Sequence, residues 1–162
     1  MYKLIKLSTD NYEPFSLMDE IGSNENEFKN TAHGMTIQQF KKWLMEQDNW
    51  ANGKGLPNGY VPQLIYWFYC DGKPIGMGKI RLGLTADSRL IGGNVGYAIG
   101  ESYRGRGYGT AFLKLLISEA KSLNLPEILL TVEKNNLASK RVVEKVGGKM
   151  IKETSERWYF SF

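Results

Sequence analysis

The apolar pattern predicts an α/β (α+β) fold of about seven strands and four helices, and three observations carry that expectation. Period-two or continuous apolar runs trade places with amphipathic runs in the order β-α-α-β-β-β-α-β-α-β-β. A capping box at Thr36 and a glycine pair at Gly147-Gly148 mark a helix start and a helix end. A glycine-rich stretch, Ile99 to Thr110, hands a strand over to a helix without a break. The chain has 162 residues, 42% of them hydrophobic, enough to bury a core, and no repeat, linker or second domain is visible.

Tyr2 to Ser8 alternates and reads as the first strand. Asp10 offers an N-cap for a helix over Asn11 to Ile21 that ends at Gly22, and the polar stretch Ser23 to Gly34 reads as loop. Thr36-x-x-Gln39 starts a second helix whose Ile37, Phe40, Trp43 and Leu44 form one apolar stripe. Glycines and Pro57 break the chain next. Leu64 to Cys70 is apolar and aromatic throughout, as in a buried strand, and Asp71-Gly72 is a hairpin turn into Pro74 to Leu84. A loop over Thr85 to Gly93 leads to the strand Val95 to Ile99. The helix beyond the glycines places Phe112, Leu115, Leu116, Ala120 and Leu123 on one face, and Asn124 and Pro126 stop it. Ile128 to Val132 is a short β-branched strand, Asn136 to Val146 a helix, and Lys149 to Thr154 with Arg157 to Phe162 an edge hairpin.

The stretch I-G-E-S-Y-R-G-R-G-Y-G-T has the makings of a phosphate site. Gly105, Gly107 and Gly109 permit angles closed to other residues and let a ligand approach the main chain. The first N–H groups of the new helix have no internal acceptor and sit at the positive end of its dipole. Arg104 and Arg106 add positive charge. The spacing is neither a P-loop nor a dinucleotide fingerprint. A surface turn using glycine for its dihedrals is the alternative.

Charge follows the same half of the chain. Residues 1–100 carry 10 Lys/Arg and 10 Asp/Glu, whereas residues 101–162 carry 11 and 7, so the net charge of +4 lies with the glycine motif. A polyanionic small ligand accounts for this without nucleic acid, since no Lys/Arg block or RNA-binding aromatic signature is present. No apolar run is long enough to span a membrane, and the N-terminus M-Y-K-L-I-K-L lacks a signal peptide's features, so a cytoplasmic location is expected. The lone Cys70, read as a buried thiol amid a strand, and the lone His33 leave no metal site to expect.

Arg104, Gly107 and Gly109 match the [Q/R]-x-x-G-x-[G/A] motif of GNAT-type N-acetyltransferases, and the chain resembles that family. Asn136-x-x-Ser139 followed by Glu144-Lys145-Val146-Gly147 is similar to the family's N-x-x-[SA] and E-K-x-G stretch, and the element order agrees along the whole chain. The nearest likeness is to a subgroup of predicted acetyltransferases, and more distantly to ribosomal-protein-alanine acetyltransferases. The resemblance implies one acetyltransferase domain over residues 1–162, with a mixed, mostly antiparallel sheet whose fourth and fifth strands splay apart. It implies acetyl-CoA as co-substrate, its pyrophosphate on the main chain of Arg104, Gly105, Arg106, Gly107, Gly109 and Thr110. Pantetheine and the oxyanion would use main-chain N–H groups around Ala98 and Ile99, and Asn136 and Ser139 would help hold the arm, although Asn136 also suits a helix N-cap.

Two departures touch the chemistry. The family's usual tyrosine acid, seven residues after Asn136, is here Val143, and the position three before Tyr97, often a Glu base, is Asn94. Glu133, Tyr97 and Ser139 are the remaining catalytic candidates, and a water chain is a further route. Asp19, Glu20, Glu25 and Glu27 cluster by sequence where the family builds its acceptor site, which favours a cationic acceptor such as a polyamine, an aminoglycoside or a protein amine, with an ordinary solvated helix end as the alternative. Trp43, Trp50, Tyr66 and Trp67 are candidate pocket walls or plain core. The expectation is therefore an N-acetyltransferase working as a monomer or homodimer. Its rivals are a catalytically silent acyl-CoA-binding domain and a nucleic-acid-binding module.

Overall fold

The chain enters as β1 (Tyr2–Lys6) and turns through a short 3-10 segment (Glu13–Ser16) into one turn of helix, α1 (Leu17–Glu20). The longer helix expected over Asn11 to Ile21 does not form, because Pro14 has no N–H to bond back to Asp10, and Ile21 is already extended before Gly22 is reached. In this computed structural model, which describes residues 1–162, the segment expected as loop from Ser23 to Gly34 contains a small hairpin. Its strands are β2 (Asn24–Glu25) and β3 (Phe28–Lys29), and its turn residues Asn26 and Glu27 have φ of 46° and 67°.

α2 (Ile37–Ala51) begins with the expected box: Gln39 N–H donates to Thr36 Oγ1 at 3.3 Å, and Thr36 N–H donates to Gln39 Oε1 at 2.9 Å. Phe40, Trp43 and Leu44 are buried, while Ile37 faces solvent. β4 (Gln63–Cys70) and β5 (Lys73–Arg81) follow, joined at Asp71 and Gly72 with φ of 48° and 82°. Cys70 ends β4 half-buried, its Sγ 3.6 Å from Asp71 Oδ2, and is not the mid-strand thiol expected. The stretch expected as loop after Thr85 holds α3 (Ala86–Leu90), started by a second capping box in which Ser88 takes the place usually held by Glu or Gln.

Then come β6 (Val95–Ile99), α4 (Tyr108–Ser122), β7 (Leu129–Glu133), α5 (Leu137–Val146), β8 (Lys149–Glu153) and β9 (Arg157–Ser161). The buried face of α4 is Phe112, Leu113, Leu116, Ile117 and Ala120, so Leu115 and Leu123 lie to one side of it. The last two strands form the expected edge hairpin: β8 pairs with β9, β9 pairs on its other side with β7, and β8 is left as the exposed edge of that sheet.

Pairing gives an antiparallel sheet of order β1-β4-β5-β6 and a second of order β7-β9-β8. Alternation along β4 sends Leu64, Tyr66 and Phe68 into a core under α4 and α5, and Ile65, Trp67 and Tyr69 into a core under α1 and α2. The two sheets meet where β6 and β7 begin. Asn94 N–H donates to Leu129 O at 2.8 Å, and Leu129 N–H donates to the buried Asn94 Oδ1 at 2.9 Å. Gly93 permits this approach, since a Cβ there would stand 2.1 Å from Leu129 O. Beyond that clasp β6 pairs with β5 alone and β7 with β9 alone, so a gap opens between β6 and β7. No helix is long and apolar enough to cross a membrane.

Candidate active site

A cavity of about 960 Å³ occupies the β6–β7 gap and reaches both faces of the sheet. Every catalytic and cofactor-binding residue expected from the sequence lines it except Arg106, which is exposed outside.

On the α4 side the main chain presents donors. Gly105 and Gly107 have φ of 76° and 79°, the left-handed region, and Gly107 is the N-cap of α4. Gly109 keeps helical angles, contrary to the expectation for it, and a Cβ there would lie 3.6 Å from the Tyr97 ring and 3.7 Å from Val142. The N–H groups of Gly105, Arg106, Gly107, Tyr108 and Gly109 have no acceptor within the chain, whereas Thr110 N–H donates to Gly107 O at 3.2 Å. Five consecutive free donors at a helix start form a ready anion cradle. Arg104 supports the turn instead of reaching outward: its Nε donates to Ile99 O at 3.0 Å, and its guanidinium pairs with Glu25.

In the gap, β6 offers main-chain groups of its own. Arg81 N–H bonds to Asn94 O and Gly100 N–H to Ile75 O, so strand alternation turns Gly96 and Ala98 onto β5 and leaves Tyr97 and Ile99 facing β7. Ile99 is thus placed to donate, and Ala98 instead lends its side chain to the α1–α2 core.

Three side chains with proton chemistry meet at the gap. Tyr97 Oη lies 3.3 Å from Ser139 Oγ. Burial pushes the phenol up to about 12, with the Ser139 contact opposing it, so the hydroxyl stays protonated in the neutral range. Ser139 N–H donates to Asn136 Oδ1 at 3.2 Å, which makes Asn136 the N-cap of α5. Glu133, the last residue of β7, stands 3.8 Å from Arg157 Nη2, and Arg157 in turn grips Glu27 with both terminal nitrogens. Partial burial and the neighbouring Glu27 carboxylate raise the Glu133 pKa, and Arg157 opposes them. Val143, at the position of the family tyrosine, is fully buried in the core.

The face opposite α4 differs from its sequence reading. The four acids taken as a cluster are all engaged: Glu25 with Arg104, Glu27 with Arg157, Asp19 Oδ1 with Gly34 N–H at 3.3 Å, and Glu20 with Ser102. They tie the first segment of the chain down and leave no free acidic patch. Trp43 and Trp50 do line the cavity, whereas Trp67 is fully buried core and Tyr66 points the other way to Glu119 at 2.9 Å. No three His, Cys, Asp or Glu side chains converge.

Residues 4–149 match the family model described as the GNAT acetyltransferase domain. The chain belongs to the GNAT acetyltransferase family. Its fold is that of solved GNAT structures. The ribosomal-protein-S5-alanine acetyltransferase of Vibrio fischeri superimposes with a TM-score of 0.70 at 15% identity, over 99% of this chain and 92% of that one. The N-acetyltransferase PseH of Campylobacter jejuni, solved with acetyl coenzyme A, gives 0.64 at 14% identity, over 100% and 98%. A GNAT acetyltransferase of Streptococcus pneumoniae gives 0.64 at 15%, over 100% and 99%. No curated protein sequence matches this one.

Within this GNAT domain, residues given another role by the sequence, or none, complete the site. Asn94, expected only as a missing base, sets where the splay begins, and Arg157, which the sequence did not single out, joins Glu27, 130 positions away, to hold the Glu133 corner. Lys79 and Arg81, two apart on β5 and facing the cavity, were legible only as polar breaks in an otherwise apolar strand.

Proposed function

We propose that this GNAT domain transfers the acetyl group of acetyl-CoA directly to a primary amine, either of a small molecule or of a protein. The observation that carries the reading is the row of free N–H groups at Gly105 to Gly109, which opens into a cavity leading through the splayed sheet. That row fits a diphosphate in donor number, in glycine dihedrals and in helix dipole. When bound, acetyl-CoA supplies an activated acyl thioester.

The chain's own residues supply the rest. Main-chain donors of β6 that face the gap meet the charge developing on the acyl oxygen. Glu133 takes the proton that the acceptor ammonium must lose before it is a nucleophile, a task its raised pKa suits. Tyr97, protonated through the neutral range and in contact with Ser139, delivers a proton to the departing thiolate. The reading includes one domain spanning residues 1–162 and a cytoplasmic location.

Thiol release from acetyl-CoA across a panel of amines tests this. Amine-dependent release is expected. The buried Val143 in place of the family tyrosine motivates the second reading, a silent acyl-CoA-binding domain. Tight CoA binding with no release on any amine would establish that alternative.

A further inference from the structure

Lys79 and Arg81 share the face of β5 that looks into the cavity away from α4, on the strand beside β6. Lys79 pairs in register with Gly96, so its Cα lies one strand spacing, roughly 5 Å, from the strand that borders the gap. Neither side chain has a carboxylate within ion-pair distance. Lys79 gives one proton to Lys29 O and rests with Nζ 4.7 Å from the centre of the Phe28 ring. Arg81 gives one to Gly93 O at 2.8 Å. Both retain donors, and Gln63, partnered with Arg81 across β4–β5, adds an amide at the same place.

Two unneutralised cations inside one cavity repel each other and bear a desolvation cost. The Lys79 pKa falls to about 8 through burial and the charges of Arg81 and Lys29. Arg81 is likewise lowered by burial. An anion bound between them would relieve both effects. The carboxylates that line this cavity do not serve: Glu25 and Glu27 are paired with arginines, Glu133 stands at the gap, and Asp87 is exposed on α3.

We infer that the acceptor carries an anionic group, a carboxylate or a phosphate ester, beside its amine, held by Lys79, Arg81 and Gln63 while the amine points to Glu133. This rests on the transferase reading and narrows its acceptor class. The cavity is then polarised end to end: an acid at the gap for the ammonium, cations behind it for the anion. A polycation is a poor fit, because its second charge would meet Lys79 and Arg81.

Matched acceptors decide it. Acetyl transfer is measured on 4-aminobutyrate against butylamine, on O-phosphoethanolamine against ethanolamine, and on 1,4-diaminobutane. The anionic member of at least one pair is expected to win in kcat/KM by about 10-fold or more, the scale of a hydrogen bond to a charged group. Whichever pair shows the larger ratio identifies carboxylate or phosphate as the anion. In Lys79→Gln that ratio falls toward one through KM, and in Lys79→Glu it inverts in favour of 1,4-diaminobutane. The Lys79 variants keep the Arg81 bond to Gly93, and circular dichroism checks that they fold. Transfer at equal rates to both members of each pair, or fastest to the diamine, would overturn the anion site and leave the transferase. Absence of thiol release with every amine would overturn both.

Discussion

The hydroxyl of Tyr97 lies 3.3 Å from Ser139 Oγ, joining a β6 side chain to the first turn of α5 across the mouth of the splay. This contact returns a protonated phenol to a site whose family tyrosine has become the buried Val143. Tyr97→Phe is expected to lower kcat/KM about 100-fold, the usual scale for a positioned acid. Ser139→Ala should cost less, since water can replace a serine hydroxyl. With the phenol pushed up to about 12, the native alkaline limb near neutrality should not come from Tyr97. A kcat/KM profile that keeps its shape in Tyr97→Phe while losing amplitude would bear this out.

Glu133 predicts the acidic limb. Its pKa lies above the usual 4.5, first through burial and then through Glu27, so activity should rise with pH through a midpoint higher than that of an ordinary carboxylate. Glu133→Gln should remove this limb and lower kcat/KM about 100-fold or more. A nearly silent substitution would assign the proton transfer to a water chain.

Arg157 holds two acids and, through Glu27, a turn in left-handed geometry. Arg157→Ala leaves Glu27 and Glu133 facing each other without a cation, and the expected loss is about 3 kcal/mol, read from urea unfolding at pH 7. The pH dependence has a definite sign. Glu133 is raised in the folded state, so its contribution is most favourable below the unfolded pKa and is lost as pH rises through the folded one. Without Arg157 the elevation grows. The variant's deficit should therefore shrink as pH is lowered from 7 toward 5.

How far the sequence reached depends on the range of the contact. Helix starts and tight turns are local chemistry, and Thr36-x-x-Gln39, Asp71-Gly72 and the closing Gly147, at φ of 98°, stand where the residues put them. The glycine turn before α4 is equally local, a strand end, glycines and a helix start within a dozen positions. The cap at Asp10 and the stop at Gly22 point to a helix over Asn11 to Ile21, but Pro14 between them limits it to a 3-10 segment and one helical turn. Long-range pairings were not legible: no spacing tells that Arg157 reaches Glu27, that β9 lies between β7 and β8, or that four nearby acids are already engaged. Asn94 is instructive. Read as a missing base, it is the clasp from which the splay opens.

Gly107 and Gly109 should separate two uses of glycine. Gly107→Val forces a branched side chain into φ of 79° and walls off free donors, so CoA affinity by calorimetry should fall below detection while the fold persists. Gly109→Ala meets only ordinary contacts with Tyr97 and Val142, and the fold should tolerate it with little change in melting temperature. Gly109→Val presses further against both side chains and should also impair CoA binding. Unchanged affinity in Gly107→Val would remove the pyrophosphate from this turn.

The clasp itself gives the last prediction. Asn94 is buried, its Oδ1 accepting Leu129 N–H at 2.9 Å and its Nδ2 reaching Arg81 O at 3.4 Å, so it joins the two sheets at the point where they part. Asn94→Ala leaves a buried N–H without a partner and should cost about 1–3 kcal/mol. Gly93→Ala is the harsher test. A methyl there would stand 2.1 Å from Leu129 O at a φ of 63°, so β6 and β7 must separate at this junction. Both variants should loosen the gap before they unfold the α4 core, which predicts faster hydrogen exchange at the amides of β6 and β7 than at those of β4. CoA affinity should fall less than acetyl transfer, because the cradle at Gly105 to Gly109 belongs to the start of α4, whereas the spacing of Tyr97 on β6 from Glu133 on β7 follows from how the two strands part. Exchange accelerated equally in β4 would show that the clasp stabilises the whole sheet and does not set the splay.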